Sequence, residues 1–291
     1  MNLKHYLILF ISVIYTSVGL SAQEDPGISQ QWWIDDDVVN VKAAWDAGYT
    51  GSGVNVGVFD SGVNNHVDLI NNIAGFFPGG ADDGADPDSD HGTNVAGVIA
   101  AERNTIGGRG MAYEAKLYNV DIFENDGDFG MTALTLYEGT NVNSGTGVIS
   151  GDATLDIRNH SWGGTYWYSA GFSEPGTAIW TALERTALNN IIDVKSAGNS
   201  RADLSGDGID DNGLSSLEGM DNHPDVIVVG ALGTDMKYAG FSSYGSNLMI
   251  TAPGTSIYTT DGTDSYKTTL GTSFSAPMVS GAIALAKQAV P

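Results

Sequence analysis

The chain contains no cysteine, which removes disulfides, thiolate metal sites and a cysteine nucleophile from consideration. Positive charge is scarce: 12 Lys and Arg stand against 35 Asp and Glu, a formal net charge of −23 over 291 residues. So acidic a surface repels nucleic-acid phosphates and anionic lipid headgroups, and neither is expected as a partner. The same balance fits an exported soluble protein, a saline habitat or loops that bind cations, and composition does not rank these. Proline is held to 8 residues while glycine reaches 39, and 42% of the chain is hydrophobic, a globular composition. Past the N-terminus, no apolar run is long enough to cross a membrane.

Residues 1–22 read as an export signal. Lys4 supplies the positive start, Tyr6–Leu20 the apolar run, and Gly19-Leu-Ser-Ala22 the small residues that suit cleavage. A membrane anchor is the competing reading, but the run is shorter than the roughly 20 residues a spanning helix needs. The remainder, 23–291, is expected outside the cell or in a periplasm.

No internal repeat or long linker interrupts that remainder. Short apolar, β-branched runs occur at Val54–Phe59, Leu117–Val120, Leu155–Ile157, Ile191–Val194 and Val226–Val229. Helical patterns fall between them, around His91–Glu102, Met131–Glu138 and Ala178–Asn189, with a last one at about Thr272–Val290. Strands that are apolar without alternation, separated by helices, predict an α/β fold with a mostly parallel sheet covered on both faces. In such sheets reactive groups gather on loops beyond the C-terminal ends of strands. Asp60 directly follows Val56-Gly-Val-Phe59, and Asn199 follows Asp193-Val-Lys-Ser-Ala-Gly198, both where that rule points.

Three separate segments offer an acid, a base and a nucleophile. Asp60 lies in Val58-Phe-Asp-Ser-Gly62, and His91 opens His91-Gly-Thr-Asn-Val-Ala-Gly-Val-Ile-Ala100, whose glycines permit close packing. Ser273 sits in Gly271-Thr-Ser-Phe-Ser-Ala-Pro-Met-Val-Ser-Gly281, a small-residue turn opening an apolar helix, with Pro277 expected in its first turn. A helix N-terminus carries unpaired N–H groups and partial positive charge, so an anionic intermediate is stabilised beside it. A serine hydroxyl is a weak nucleophile near neutral pH, and an imidazole must take its proton. A buried carboxylate then fixes the imidazole tautomer and stabilises the imidazolium. The chain order Asp, His, Ser is that of subtilisin.

Further segments fall in a matching order: Ser196-Ala-Gly-Asn199, His223-Pro-Asp-Val-Ile-Val-Val-Gly-Ala231, Phe241-Ser-Ser-Tyr-Gly245 and Ala252-Pro-Gly254. With these the chain resembles the subtilisin-like serine peptidases from about Gln30 to Pro291, the span read as the catalytic domain. The resemblance implies a secreted serine endopeptidase acting on protein or peptide substrates through an acyl-enzyme. It assigns Asp60 as orienter, His91 as general base and acid, Ser273 as nucleophile and Asn199 as oxyanion donor. Asn40-Val-Lys-Ala-Ala-Trp-Asp-Ala-Gly-Tyr-Thr-Gly51 and Ser161-Trp-Gly163 are similar to landmarks of the kexin/furin group, which cleaves after paired basic residues and binds calcium. The chain departs from that group at Gly164-Thr-Tyr-Trp-Tyr168, where the group has acidic residues that read a basic side chain. Phe123-Glu-Asn-Asp-Gly-Asp128 fits either a substitute acidic pocket or a solvated loop.

The carboxylates cluster twice more. Asp203-Leu-Ser-Gly-Asp-Gly-Ile-Asp-Asp-Asn-Gly213 sets Asp203, Asp207, Asp210 and Asp211 at the short spacings calcium uses, although the terminal bidentate Glu of an EF-hand is missing. Structural calcium there competes with a repulsive surface loop. Asp82, Asp83, Asp86, Asp88 and Asp90 run into His91, as a second calcium loop or an Asp-rich turn, with Asp90 placed to cap the helix. His66, His160 and His223 are read as structural, because His91 already holds the matching motif. Trp162, Tyr166, Trp167 and Tyr168 fit a cleft lining or packing aromatics about equally.

Two expectations concern the ends. Only about a dozen residues separate Ala22 from the first landmark, too few for a folding pro-domain, and the chain stops on the serine helix where relatives continue. It is therefore expected to be a C-terminally truncated piece of a longer enzyme. The rival readings are an inert protein of the same fold that binds peptides, and a calcium-binding structural module. Loss of Asp60, His91 or Ser273 would mark the first, and all three are present.

Overall fold

Runs of Val, Ile and Leu that never alternate with polar residues must be covered on both faces, and the sheet here is covered so. A computed structural model describes residues 24–76, 89–121, 155–163, 178–201, 203–204 and 220–290. Among these residues seven strands form one sheet: β1 (Asn55–Asp60), β2 (Ile73–Phe76), β3 (Lys116–Asp121), β4 (Ile157–His160), β5 (Ile192–Ser196), β6 (Val226–Leu232) and β7 (Ile250–Pro253). Their spatial order is β2-β3-β1-β4-β5-β6-β7, and every neighbouring pair is parallel. A separate antiparallel hairpin joins β8 (Ile257–Asp261) to β9 (Ser265–Thr269).

Among the described residues four α-helices accompany the strands: α1 (Val41–Asp46), α2 (His91–Ala100), α3 (Ala178–Leu188) and α4 (Thr272–Ala289). Side chains alternate across a strand, and the two cores follow from that. Val56 and Val58 of β1 and Val229 of β6 pack with α2 and α4, whereas Phe59, Val226 and Val228 pack with Leu183 of α3 on the opposite face. Helices on both faces of a parallel sheet meet the expectation. The order of β1 and β4 beside each other, with β5 next, brings three strand ends together under one end of α4.

Two strands lie where polar residues hid them. The fourth strand runs over Arg158 and His160 rather than Leu155–Ile157, because both side chains find buried partners on β5. The hairpin strand Ser265-Tyr-Lys-Thr-Thr269 is half-exposed and has no apolar pattern to read. Pro277 also differs from expectation, since it lies beyond the first turn of α4. A proline there cannot donate to the carbonyl four residues earlier, which is that of Ser273. The Ser161 hydroxyl donates to that carbonyl instead, at 2.8 Å.

Glycine matters most where α2 meets its neighbours. A Cβ at Gly92 would overlap the Gly62 carbonyl, and one at Gly97 would overlap the Thr260 hydroxyl. Thr259 and Thr260 of β8 donate their hydroxyls to the Asn94 and Thr93 carbonyls at 2.6 and 2.7 Å. The hairpin is thereby fastened to the start of α2, close to His91.

Candidate active site

Asp60 ends β1 and is 1% exposed. Its Oδ1 accepts from the Ser61 backbone N–H at 2.8 Å and from His91 Nδ1 at 2.7 Å. Its Oδ2 is buried with no hydrogen-bond partner among the described residues. The carboxylate's charge is thus directed at the imidazole. Burial works against an imidazolium at His91, but Asp60 outweighs it through charge and hydrogen bond, and Lys267 takes part of the gain back. The outcome is a pKa above the ordinary 6.5. With Nδ1 donating to the carboxylate, the neutral ring offers Nε2 as an acceptor.

Ser273 lies in the first turn of α4, and its side chain shares a cleft of about 470 Å³ with His91, Asn199 and Phe274. The ring of Phe274 packs 5.7 Å from that of His91. The Ser273 hydroxyl donates to the Ser161 carbonyl at 3.0 Å, and no hydrogen bond joins it to His91. Reaching the imidazole takes a rotation about Cα–Cβ, and such bonds are often loose until substrate arrives. Ser161 grips the nucleophile segment twice, through this carbonyl and through its own hydroxyl. That hydroxyl accepts from Asn159 Nδ2 at 2.8 Å, and Ser280 donates to Asn159 Oδ1 at 2.9 Å. Sequence reasoning saw Ser161-Trp-Gly163 only as a landmark; the carbonyl contact leaves no residue-type signal, and the partner of the hydroxyl is known only from the fold.

Asn199 follows β5 and is oriented by Thr272, whose N–H and hydroxyl both donate to its Oδ1, at 2.8 and 2.9 Å. The amide's Nδ2 is left as its donor. At the mouth of α4 the Phe274 N–H donates to the Gly271 carbonyl, while no described group takes the Ser273 N–H. Two N–H donors, Asn199 Nδ2 and the Ser273 N–H, therefore belong to residues lining the cleft at the positive end of a helix.

The other expectations divide. Asp90 stands at the N-cap position of α2 but makes no side-chain cap; its Oδ1 accepts from Asn64 Nδ2 at 2.8 Å. His66, His160 and His223 are buried in structural contacts: His66 Nε2 donates to the Ser265 carbonyl while its Nδ1 accepts from the Asp68 N–H. Trp162 is a packing residue, buried against His160 and lying 5.7 Å from Lys195 Nζ. Tyr166, Trp167, Tyr168, the run 123–128 and Asp82, Asp83, Asp86 and Asp88 lie outside the described residues, as does the segment 1–22.

Of the four calcium candidates, Asp207, Asp210 and Asp211 also lie outside them, and Asp203 pairs through its backbone with Tyr244. Among the described residues no three His, Asp or Glu side chains gather closely enough to hold a metal. One buried carboxyl has an oxygen left over. Asp68 is fully buried, and its Oδ1 has no hydrogen-bond partner. Burial pushes its pKa up to about 8, with Asp25 and Glu102 adding repulsion and hydrogen bonds from Tyr266 and Asn104 opposing it. The bare carboxylate oxygen of Asp68 is the kind of ligand a hard cation takes, whereas Asn104 turns its amide N–H to Asp68 and its Oδ1 accepts from the Ile106 N–H at 3.0 Å.

The family model described as the subtilase family matches residues 51–291. The chain belongs to that family. It is 32% identical over 254 residues to subtilisin BL of Lederbergia lenta, covering 87% of this chain and 83% of that protein. A probable subtilase-type serine protease of Deinococcus radiodurans is 33% identical over 304 residues, covering 90% of this chain and 37% of its own length. Among solved structures, a protease from Pseudoalteromonas arctica superposes with a TM-score of 0.75 at 29% identity, covering 92% of this chain and 88% of that one. As a subtilase, the chain is a subtilisin-like serine endopeptidase. No described helix is long and apolar enough to cross a membrane.

Proposed function

We propose that this subtilase is an exported endopeptidase that cleaves peptide bonds through an acyl-enzyme, with Ser273 as nucleophile. His91 Nε2 takes the hydroxyl proton as Oγ attacks the scissile carbonyl, and Asp60 holds the imidazolium. The carbonyl oxygen becomes an anion between Asn199 Nδ2 and the Ser273 N–H. A donor of this kind contributes about 3–4 kcal/mol to the transition state. The C–N bond then breaks as His91 passes the proton to the leaving amine. Water, activated by the same imidazole, hydrolyses the ester and regenerates Ser273.

The observation that carries this reading is the 2.7 Å hydrogen bond from buried Asp60 to His91, which lines one cleft with Ser273 and Asn199. A fluorophosphonate probe tests it. One adduct, on Ser273, is expected in the wild type and none in Ser273→Ala; absence of an adduct on folded protein refutes the assignment.

Calcium belongs to the same reading as a structural ion, with Asp68 as one candidate ligand and Asp203, Asp207, Asp210 and Asp211 as a second candidate site. When bound, calcium would supply positive charge that offsets crowded carboxylates. The kexin-like landmarks suggest basic residues before the cleaved bond, which kinetics on peptides ending in Arg or Leu would test. Export rests on the segment 1–22.

A further inference from the structure

We propose that Lys267 is a specificity-determining residue that favours an acidic substrate side chain on the leaving-group side of the scissile bond. The proposal rests on the peptidase reading above and adds a substrate preference to it.

The cleft has a direction. Asn199 and the Ser273 N–H mark where the carbonyl oxygen sits, and the leaving amine must sit against the imidazole that protonates it. Residues beyond the cut bond therefore pass the His91 side of Ser273. The wall on that side is made by α2 and by β9, which leads directly into Gly271 and Ser273. Lys267 and Thr269 are alternate residues of β9, on one face of the strand, and both line the cleft, followed by Leu270.

Lys267 is the one cation among the described residues lining that cleft, in a chain with only 12 Lys and Arg. Its position is fixed. Nζ donates to Asp261 Oδ1 at 2.8 Å, and the same oxygen accepts from Asn94 Nδ2 at 3.0 Å. Asn94 lies three residues after His91 on α2, hence on the same side of the helix. The lysine is tethered to the helix that carries the imidazole, and its charge is felt at His91. One of three ammonium N–H groups serves Asp261, which leaves two for a ligand.

The neighbourhood is otherwise acidic. Asp60 lies beneath the imidazole, Asp90 lines the cleft and Asp264 sits in the turn of the hairpin. With a net charge of −23 the protein repels acidic peptides at long range. A single fixed ammonium beside the leaving group therefore sets a local preference against that background. An exposed pair of this kind is expected to change kcat/KM by about two- to fivefold.

Internally quenched peptides carrying Asp, Ala or Lys at the first or second position after the cut bond provide the test. A peptide p-nitroanilide, which has no residue on that side, calibrates each enzyme. The Asp/Ala ratio of kcat/KM should stand about two- to fivefold above one at low salt, shrink in 0.5 M NaCl and survive Lys267→Arg. It should fall to one in Lys267→Met, with the acidic limb of the pH profile moving up as the neighbouring charge is lost. Asp261→Asn separates recognition from anchoring. Recognition requires its Asp/Ala ratio to rise as the lysine loses its competitor, whereas mere anchoring requires it to fall as in Lys267→Met. A ratio unchanged in Lys267→Met, or lowered in Asp261→Asn, overturns the proposal while leaving the peptidase intact. An enzyme inert even to the p-nitroanilide overturns both.

Discussion

Asp60 and His91 set the residue scale, because one hydrogen bond between them fixes a tautomer and a charge. The ring can act as a base only when neutral, so activity should rise with pH through the His91 pKa. Asp60 holds that value above 6.5, against burial and the charge of Lys267. In the Asp60→Asn variant the supporting charge is gone, the limb should move toward acid, and kcat should fall by about four orders of magnitude. A kcat/KM profile on a neutral peptide measures both. A limb that stays where the wild type has it would mean that His91 titrates independently of Asp60. These residues were legible because each sits in a segment whose residue types serve one chemistry. Ser161 was not, since one half of its grip on Ser273 runs through a carbonyl that every residue owns and the other half through a hydroxyl whose partner only the fold reveals.

At the scale of elements, β4 and β5 carry an arrangement that apolar pattern reading passes over. Arg158 stands opposite Asp193 in the parallel register, and His160 opposite Lys195, all buried. Asp193 Oδ1 accepts from Arg158 Nε at 2.7 Å and from His160 Nε2 at 2.9 Å, and its Oδ2 accepts from Thr186 at 2.6 Å. The strands legible at once, β1, β3 and β6, are ones whose buried side chains are nearly all apolar; β5 was legible from Ile191–Val194 despite its buried Asp193 and Lys195. Here charges are buried and compensated across a ladder, so the periodicity broke at Arg158. Burial drives His160 down to about 4, although Asp193 opposes the shift. A histidine depressed from 6.5 contributes stability that is complete above that pH and is lost as pH falls toward 4. His66 and His223 are lowered by burial as well and act in the same direction. Removing one partner leaves a buried guanidinium uncompensated, so Asp193→Asn should cost about 3–5 kcal/mol. Urea unfolding at pH 8 reads that loss, and a change below about 1 kcal/mol would show the ladder to be dispensable.

At the scale of the whole molecule, the fold was legible because the subtilase resemblance is spread along the chain, and the family model matches residues 51–291. The proposed cation sites were less so. Acid-rich runs such as 203–213 advertise calcium in the sequence, whereas Asp68 stands alone in its segment and becomes notable only once burial brings Asp25 and Glu102 near it. A net charge of −23 on one chain destabilises the compact state by self-repulsion, and two kinds of relief are separable. Screening responds to any salt, so raising NaCl should raise the unfolding midpoint smoothly. A specific site responds to the ion that fits it. Calcium takes more oxygens at longer distances than magnesium, which keeps its waters. Millimolar calcium should therefore raise the midpoint beyond magnesium at matched ionic strength, and a chelator should remove only that excess. Asp68→Asn should remove the part of the excess that this carboxylate supplies, leaving the response to NaCl. Equal midpoints in calcium and magnesium would reduce the effect to screening and withdraw the structural ion from both candidate loops.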